Sequence, residues 1–588
     1  MKSKKSDSKI DNVRHSLAHL LAVAVLEIDN KAKLAIGPTI ENGFYYDFQF
    51  SNGFKLTKED LLKLEKKIKH YIKQDIKFKH FEMSPYDARE KFKNQPYKLE
   101  LIDKIINYGE KLSFYQSGDF VDLCGGEHIT STKEINQNAF KLTSIAGAYW
   151  RGDEKNKMLT RIYGVAFEDK AELDEYMKIQ EEAEKRDHRK LGKELELFTF
   201  SDEVGAGLPL WLPKGTIIRD ELEKLAKETE KKSGYQYIVT PHITKKKLYE
   251  ISGHIPYFNE DLYSPIDIEG EEYYLKPMNC PHTHMIYKSK TRSYRELPLR
   301  LAEYGTVYRF ERSGTLHGLM RARGFCQNDA HIYAQPEKAV EEFINVLKMH
   351  KYYYNILGIK DWYVALGIRD KGNINNKYHG DNKMWEEAEK LTKLALDESG
   401  IKYVIKEGSA AHYGPKADVI IKSIIRKEYA LGTNQLDLYM PRRFNLVYTD
   451  KDGKEKMPYI IHRAPLGSHE RMIGFLIEHF AGAFPLWLSP VQVKILPIAD
   501  AHKDYAKEIF ERLKTNNIRV ELDDNNETLG KKIRQGKIEK VPYMLVIGDK
   551  EIADKKITVE SRDKKDFGSQ NIETFIKKLK KDITNRTL

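Results

Sequence analysis

The sequence has few cysteines and lacks long apolar runs. Three cysteines in 588 residues cannot build a disulfide framework, which argues against the disulfide-stabilised secreted class and favours a reducing compartment, the cytoplasm. A transmembrane helix needs about 18 or more consecutive apolar residues, and the sequence contains no such run. We therefore expect no membrane association.

The composition that remains is that of a large globular protein. The chain is too long for one hydrophobic core, so two to four domains are expected. Apolar residues make up 40% and aromatic residues 11% of the chain, including 35 tyrosines, which is too many for disorder. The net charge of +11 favours a polyanionic partner such as nucleic acid.

The N-terminus has some features of a secretion signal, because basic MKSKKSDSK precedes apolar LAHLLAVAVL. Export is the weaker interpretation, since two histidines in helical register open the apolar stretch and no clean cleavage site follows. We expect the basic segment to be a disordered tail.

Changes in composition divide the chain into four segments. Helical and aromatic strand patterns fill residues 1–166, and a Lys/Glu-rich segment, 167–196, is predicted to be a linker helix. A large body, 197–489, ends in the Pro-flanked FPLWLSP. In 490–588, strands and helices alternate, which predicts a small domain with a largely parallel core.

Two segments of the body carry polar residues where a core would be apolar. In the strand-like run from Gly324, side-chain alternation places Gln327, Asp329 and His331 on one face. Because burying such groups unpaired costs a few kcal/mol, about 2–7 by transfer scales, this face suits a polar substrate. In 457–482, a strand ending at His462 leads to a helix with Arg471 in its first turns, which suits phosphate; Arg471 could equally pair with a neighbouring glutamate, Glu470 or Glu478.

Two thiols lie near histidines. Cys280, in KPMNCPHTHM, could be a metal ligand, a nucleophile or a small buried hydrophobe, and its local spacing does not decide between them. In the first segment, His15 and His19 share a helical face, and VDLCGGEHI adds Cys124 and His128. This HxxxH and CxxxH combination alone would indicate a zinc tetrad.

Three stretches resemble the signature motifs of class II aminoacyl-tRNA synthetases. They are GYQYIVTPHI with Pro241, TVYRFERSG…RARGF with Arg309, and HRAPLGSHERMIG with Arg471. LKPMNCPHTH, TLHGLMRARGF and AYWRGDEKNKMLTRIYG are similar to segments of the threonyl-tRNA synthetases, and the resemblance extends from about residue 12 to the C-terminus. In that family a small ubiquitin-like domain usually precedes the editing domain, and we expect it to be absent here.

The resemblance implies an α+β multidomain fold. Its parts would be an N-terminal α/β editing domain, a catalytic domain built on the class II antiparallel sheet, and a C-terminal α/β anticodon-binding domain. It implies activation of L-threonine with ATP and Mg²⁺, transfer to tRNA(Thr), and a homodimer formed through the first motif. A catalytically silent RNA-binding paralogue and a hydrolase acting only in editing are the alternatives.

The resemblance also assigns site residues. Cys280, His331 and His462 would hold one Zn²⁺ that takes the amine and hydroxyl of threonine. Arg309 and Arg471 would contact the α- and γ-phosphates. The substrate and ATP pocket would further contain Gln327, Asp329, Arg321, Tyr413 and Gln435. At 430–433 the chain has ALGT where the family usually has QCGT, so a polar contact is expected to be missing.

The editing and anticodon sites are assigned in the same way. A metal-independent site that hydrolyses seryl-tRNA would use His15, His19, Tyr46, Lys98, Asp122, Cys124 and His128, although GGEH replaces the usual RGPH. Asn526 and Glu551 match positions that read the anticodon. Glu560 stands where the family usually has arginine, and Arg562 would substitute for it. The basic residues expected to contact phosphate are Lys531, Lys532 and Arg534.

Overall fold

A computed structural model describes residues 9–51, 54–257, 259–370, 378–563 and 568–588. The contacts divide the chain into two compact units, Met1–Glu181 and Glu182–Leu588. The predicted disordered tail lies almost entirely outside the described residues, whose first helix begins at Lys9. Among the described helices, none combines the length and the hydropathy needed to span a membrane.

In its described residues, the first unit contains two sheets and, before the linker, four α-helices. A five-stranded antiparallel sheet and a separate three-stranded meander share a core with the apolar first helix. Its helices are Lys9–Leu26, Lys58–Lys73, Pro85–Lys91 and Pro96–Asn107. Its strands are Lys33–Leu34, Thr39–Ile40, Gly43–Gln49, Phe78–Glu82, Ser113–Ser117, Phe120–Leu123, Phe140–Tyr149 and Met158–Ala166.

The predicted linker helix is interrupted. Helix Lys170–Arg186 runs from the first unit into the second and is followed by the short helix His188–Glu194. Asp187 lies between them, and its side chain accepts a hydrogen bond from the backbone N–H of Arg189. An aspartate in this position caps a new helix start, and this accounts for the break.

The second unit is built on an eight-stranded sheet. Its central strands are antiparallel, and short parallel pairs lie at its two ends. In sheet order the strands are Gln236–Tyr237, Leu299–Tyr308, Gly324–Ala334, Tyr459–Ala464, Glu428–Asp437, Lys416–Lys422, Trp362–Ile368 and Tyr403–Glu407. Strands outside this sheet are Phe198–Thr199, Leu210–Trp211, Ile243–Lys245, Ile266–Ile268, Glu271–Leu275, Tyr448–Thr449 and Glu455–Lys456.

The second unit has further helices, several of which pack against this sheet around an extensive core. Up to residue 480 they are Pro213–Lys232, Lys246–Ser252, His254–Tyr257, Cys280–Lys288, Ala339–Ile356, Asn382–Ser399, Met440–Phe444 and His469–Phe480. The last of these begins after Ser468, whose hydroxyl accepts a hydrogen bond from the backbone N–H of Arg471. This cap fixes the start of the helix next to the sheet.

The C-terminal part has a mixed five-stranded sheet. Three strands are parallel, as the alternating pattern predicts, but two further strands pair antiparallel at the edge. In sheet order they are Val520–Leu522, Val493–Pro497, Tyr543–Ile547, Ile557–Ser561 and Gly568–Gln570. The helices are Lys503–Thr515, Leu529–Ile538, Asp549–Asp554 and Ile572–Thr584.

A buried ion pair joins the large sheet to helix Pro213–Lys232. Arg463 Nη1 lies 2.8 Å from Glu230 Oε1, and neither side chain is exposed. Asn328 donates a further hydrogen bond to Glu230, and the Arg463 guanidinium lies over the ring of Tyr235. Since a buried charge is tolerated only when it is paired, these contacts are mutually dependent.

We predict that Glu230→Gln destabilises the second unit, because the substitution leaves the Arg463 charge buried and uncompensated. Breaking one partner of a buried pair typically costs about 3–5 kcal/mol, which calorimetry would detect as a lower melting temperature. Glu341→Gln removes an exposed ion pair with Lys338 and serves as the control, for which we expect no measurable change in melting temperature. Equal melting temperatures for both variants would contradict the prediction.

Candidate active site

Polar side chains from several strands of the large sheet line one cavity of about 440 Å³. Gln327, Asp329 and His331 all line it, as their alternation along one strand predicts. The intervening Asn328 and Ala330 are buried on the other face, as is the preceding Cys326. Tyr413 and Gln435 line the cavity as well, and Tyr413 donates a hydrogen bond to the Gln435 side-chain oxygen.

Cys280, His331 and His462 meet at this cavity. Their ligand atoms lie within 4.8 Å of one another, and all three residues are buried. His331 and His462 are directly opposite each other on neighbouring antiparallel strands. Cys280 is the first residue of helix Cys280–Lys288. The fold thus brings together Cys280 and His462, which are 182 positions apart in the sequence.

This donor set fits zinc. Thiolate and imidazole are the ligands that Zn²⁺ prefers, and three protein ligands leave a position open for a substrate. The other ring nitrogen of His462, Nε2, lies 2.9 Å from Asp437 Oδ2. A carboxylate behind a histidine is the usual support of a metal-binding imidazole, because it fixes the tautomer and the ring orientation.

Asn279 supports Asp329 and was not identified from the sequence. Burial raises the pKa of Asp329 to about 6, and the hydrogen bond from Asn279 Nδ2, 3.0 Å from Oδ2, opposes that rise. Asn279 occupies space left by Gly305, where a Cβ atom would lie 2.2 Å from the Asn279 Oδ1. Nothing in the local pattern distinguishes this asparagine from a helix cap.

The three predicted arginines surround an adjoining cavity of about 250 Å³. Arg309 lines both cavities, and its Nε donates to the Pro277 carbonyl at 3.1 Å. Arg321 forms an ion pair with Glu311. Burial, followed by the charges of Arg309 and Arg321, lowers the pKa of Arg471. Clustered cations of this kind favour a polyanionic ligand.

Arg471 makes neither of the glutamate pairs that the sequence left open. Its Nε donates to the Met320 carbonyl at 3.1 Å, and its Nη1 to the Ala430 carbonyl at 3.3 Å. Glu470 instead accepts the backbone N–H of Cys326. At position 430, where the chain departs from the family pattern, the backbone carbonyl contacts the arginine.

The first unit contains a second cluster, formed by His15, His19, Cys124 and His128. Their ligand atoms lie within 4.8 Å of one another. The Cys124 sulfur is 3.2 Å from His15 Nε2 and 3.3 Å from His128 Nε2. Burial lowers the pKa of His128 and raises that of Cys124 to about 12. The four groups also fit a metal, as the HxxxH and CxxxH combination predicts.

The remaining predicted editing residues lie beside this cluster. Tyr46 donates to Asp122 Oδ2 at 2.6 Å, and the ammonium of Lys98 pairs with the same carboxylate. His15, Lys98 and Asp122 line a cavity of about 250 Å³. In the unusual GGEH loop, a Cβ atom on Gly126 would lie 2.5 Å from the His15 ring, so the loop approaches the imidazole too closely for a side chain.

The predicted anticodon residues differ in accessibility. Asn526 is exposed, whereas Glu551 is buried and accepts hydrogen bonds from the Gly548 N–H and the Thr558 hydroxyl. The Arg562 guanidinium donates to the carbonyls of Lys540 and Phe484, so it is engaged within the protein.

The prediction that Lys532 contacts phosphate is wrong. It is buried, and its ammonium donates to the carbonyls of Pro497 and Asp523. Arg534, on the same helix, is exposed, and exposed Lys531 pairs with Glu527.

Comparison with family models defines the class. Residues 263–480 match the tRNA synthetase class II core domain (G, H, P, S and T), and residues 492–582 match an anticodon binding domain. Residues 112–163 match the threonyl and alanyl tRNA synthetase second additional domain. With the antiparallel sheet and its arginine-lined cavity, these matches make the chain a class II aminoacyl-tRNA synthetase.

Curated relatives identify the family within that class. The chain is 48% identical over 588 residues to a threonine–tRNA ligase from Sulfurihydrogenibium sp., covering 99% of this chain and 90% of the relative. It is 46% identical to that of Thermus thermophilus, covering 98% of this chain and 89% of the relative. The chain therefore belongs to the threonine–tRNA ligase family, which confirms the resemblance of the motifs.

Solved structures agree with this assignment. The structure described as the RNA binding domain of threonyl-tRNA synthetase from Cryptosporidium parvum is 37% identical, with a TM-score of 0.64, covering 67% of this chain and 98% of its own. A prolyl-tRNA synthetase from the same organism has the same fold at 17% identity, with a TM-score of 0.53, covering 68% of this chain and 77% of its own.

We predict that Asn279→Ala weakens amino-acid binding. Losing one hydrogen bond to a charged group costs about 1.5–3 kcal/mol, which corresponds to a rise of about 10- to 100-fold in the KM for threonine. The KM for ATP should change little, because Asn279 does not line the arginine cavity. Steady-state ATP–pyrophosphate exchange measures both constants, and an unchanged threonine KM would contradict this role.

Proposed function

We propose that the chain ligates L-threonine to tRNA(Thr) and removes serine that has been attached in error. The observation that carries this proposal is the meeting of Cys280, His331 and His462 beside Asp329 and the arginine cavity. We assign residues 1–166 to editing, 167–196 to a linker, 197–489 to catalysis and 490–588 to anticodon binding.

Threonine recognition follows from the cysteine–histidine set. A zinc ion held by Cys280, His331 and His462 would supply an electrophilic position for the amine and hydroxyl of threonine. Valine has nearly the same shape, and an apolar pocket separates such pairs by only about 10²-fold. A site that requires an oxygen ligand rejects valine much more strongly. Asp329, held by Asn279, would bind the substrate ammonium.

Activation needs positioning and charge stabilisation rather than a general base. In the proposed reaction the threonine carboxylate attacks the α-phosphorus of ATP, and pyrophosphate leaves. Arg309, which lines both cavities, would contact the carboxylate and the α-phosphate. Arg321 and Arg471 would hold the outer phosphates together with Mg²⁺. Fixed cations of this kind stabilise the charge that develops during such a displacement.

Serine requires a second site, because it also offers an amine and a hydroxyl. It lacks one methyl group, a difference worth only about 1–3 kcal/mol. We place hydrolysis of seryl-tRNA in the cavity lined by His15, Lys98 and Asp122, where a water near His15 or Lys98 would attack the ester. We propose that this site works without a metal.

The chain is proposed to act as a homodimer in the cytoplasm. Val239, in the first class II motif, has 91% of its surface exposed. A single exposed valine is ordinary on a protein surface, so the proposed dimer rests on the resemblance of this segment to the first class II motif. All three cysteines are free, in keeping with a reducing compartment. In the C-terminal part, exposed Asn526 and Arg534 would contact tRNA.

Metal analysis tests the proposed catalytic site. We predict about one zinc per chain, lost in Cys280→Ser and retained in the control Cys124→Ser, because Cys280 alone of the two supplies the thiolate of the proposed zinc site. The same samples should show threonine-dependent ATP–pyrophosphate exchange that Cys280→Ser abolishes, with little exchange on valine. Protein free of zinc, or equal use of valine, would refute the proposal, and absent exchange would favour the silent paralogue or the editing-only hydrolase.

Hydrolysis of seryl-tRNA tests the editing site. We predict that Lys98→Ala slows it by about 10²-fold or more, the usual contribution of a group that assists proton transfer. Threonine-dependent exchange should stay within about twofold of wild type, because the catalytic cavity lies in the other unit. Lys104→Ala is the matched control, an exposed lysine on the same helix. Undiminished deacylation in Lys98→Ala would place the hydrolytic site elsewhere.

A further inference from the structure

Residues 182–194, which we name the anchor segment, open the second unit and contact two elements that line the arginine cavity. Arg186 Nη1 donates to the carbonyls of Glu478 and His479, at 3.2 and 3.0 Å. These carbonyls lie in the last turn of helix His469–Phe480. A cation stabilises this negative end of a helix, so the anchor segment is held firmly against it.

His188 connects this helix to the loop that carries Arg321. Its imidazole is fully buried, with Nδ1 2.7 Å from Glu478 Oε1 and Nε2 3.2 Å from the Leu319 backbone nitrogen. A backbone N–H can only donate, so Nε2 must accept and Nδ1 must carry the hydrogen that is donated to Glu478. Tyr429 donates to the other oxygen of the same carboxylate at 2.9 Å, which fixes its orientation.

The loop backbone is thereby held from two sides. The Leu319 N–H is bound by His188, and the carbonyl of the next residue, Met320, accepts from Arg471 Nε. Arg321 follows directly in the chain and lines the same cavity as Arg471. A displacement of Leu319 would therefore move Arg321 and remove a contact that orients the guanidinium of Arg471.

Two glycines make the close approach possible. Gly318 has a φ of +51°, and a Cβ atom there would lie 2.3 Å from His188 Nε2. On the helix, a Cβ atom at Gly474 would lie 3.2 Å from the Leu319 Cβ. Side chains at these two positions would push the loop away from the imidazole. The two glycines are therefore needed for the contact between His188 and Leu319.

We propose that His188 is a positioning residue for ATP, holding the loop at Leu319 so that Arg321 and Arg471 are preorganised for the phosphates. The inference rests on the proposed ligase function. The alternative to a positioning role is that His188 is a buried histidine that only stabilises the fold. The two differ in which substrate is affected, because His188 contacts Leu319, which lines the arginine cavity. Among the described contacts, none joins His188 to Cys280, His331 or His462.

The test is threonine-dependent ATP–pyrophosphate exchange with His188→Ala and His188→Gln. For His188→Ala we expect the KM for ATP to rise by about tenfold, as for a lost hydrogen bond, with a lower kcat and a threonine KM within about twofold of wild type. His188→Gln, whose amide offers one donor and one acceptor, should recover most of the loss. Lys190→Ala, an exposed lysine on the same short helix, is the control with wild-type constants.

Three outcomes overturn the inference. They are an unchanged ATP KM in His188→Ala, a parallel rise in both KM values with a lower melting temperature, and no recovery in His188→Gln. If the alanine variant fails to fold, Gly318→Ala tests the same contact from the loop and must also raise the ATP KM selectively. A wild-type protein without exchange activity refutes the proposed function instead, so the two failures are distinguishable.

Discussion

The pairing of His331 with His462 across two antiparallel strands is the constraint on which the catalytic cavity depends. Gln435 is opposite His462 on the third strand, so three polar side chains lie side by side. Because side chains alternate along a strand, a slip of one residue in either register would turn this row into the core. The start of helix Cys280–Lys288 places Cys280 against this row. Asp329 is placed there because it shares strand Gly324–Ala334 with His331.

A polar row on one face of a buried sheet is costly, and partners on both faces compensate for it. Asp437 supports His462, and Asn279 supports Asp329. Arg463 is next to His462 in the chain, and its charge is balanced by Glu230 of helix Pro213–Lys232, behind the sheet. Networks of this kind are stabilising only when complete, since each unpaired member would bear its full desolvation cost. The site and the core are therefore specified together.

The sequence predicted the residues of the site better than it predicted their supports. Alternation along Gly324–Ala334 placed Gln327, Asp329 and His331 on one face, and the motifs identified the family. Asn279, His188 and Glu230 were missed, because they act through tertiary contacts that no local pattern encodes. The edge strand Gly568–Gln570 of the C-terminal sheet and the break at Asp187 were also missed, because short elements carry little periodicity.

The two cavities, one beside Asp329 and one beside Lys98, suit two tasks with opposite requirements for water. Under the proposed function, water would destroy the acyl-adenylate, so the activating cavity would have to exclude water around Arg309 and Asp329. Removing serine from tRNA requires water as the nucleophile. A zinc-dependent hydroxyl requirement would reject valine but admit serine, whereas one methyl group gives too small a difference in binding to reject serine in the same step. A second unit with its own histidines and Lys98 would let one chain exclude water at one site and use it at another.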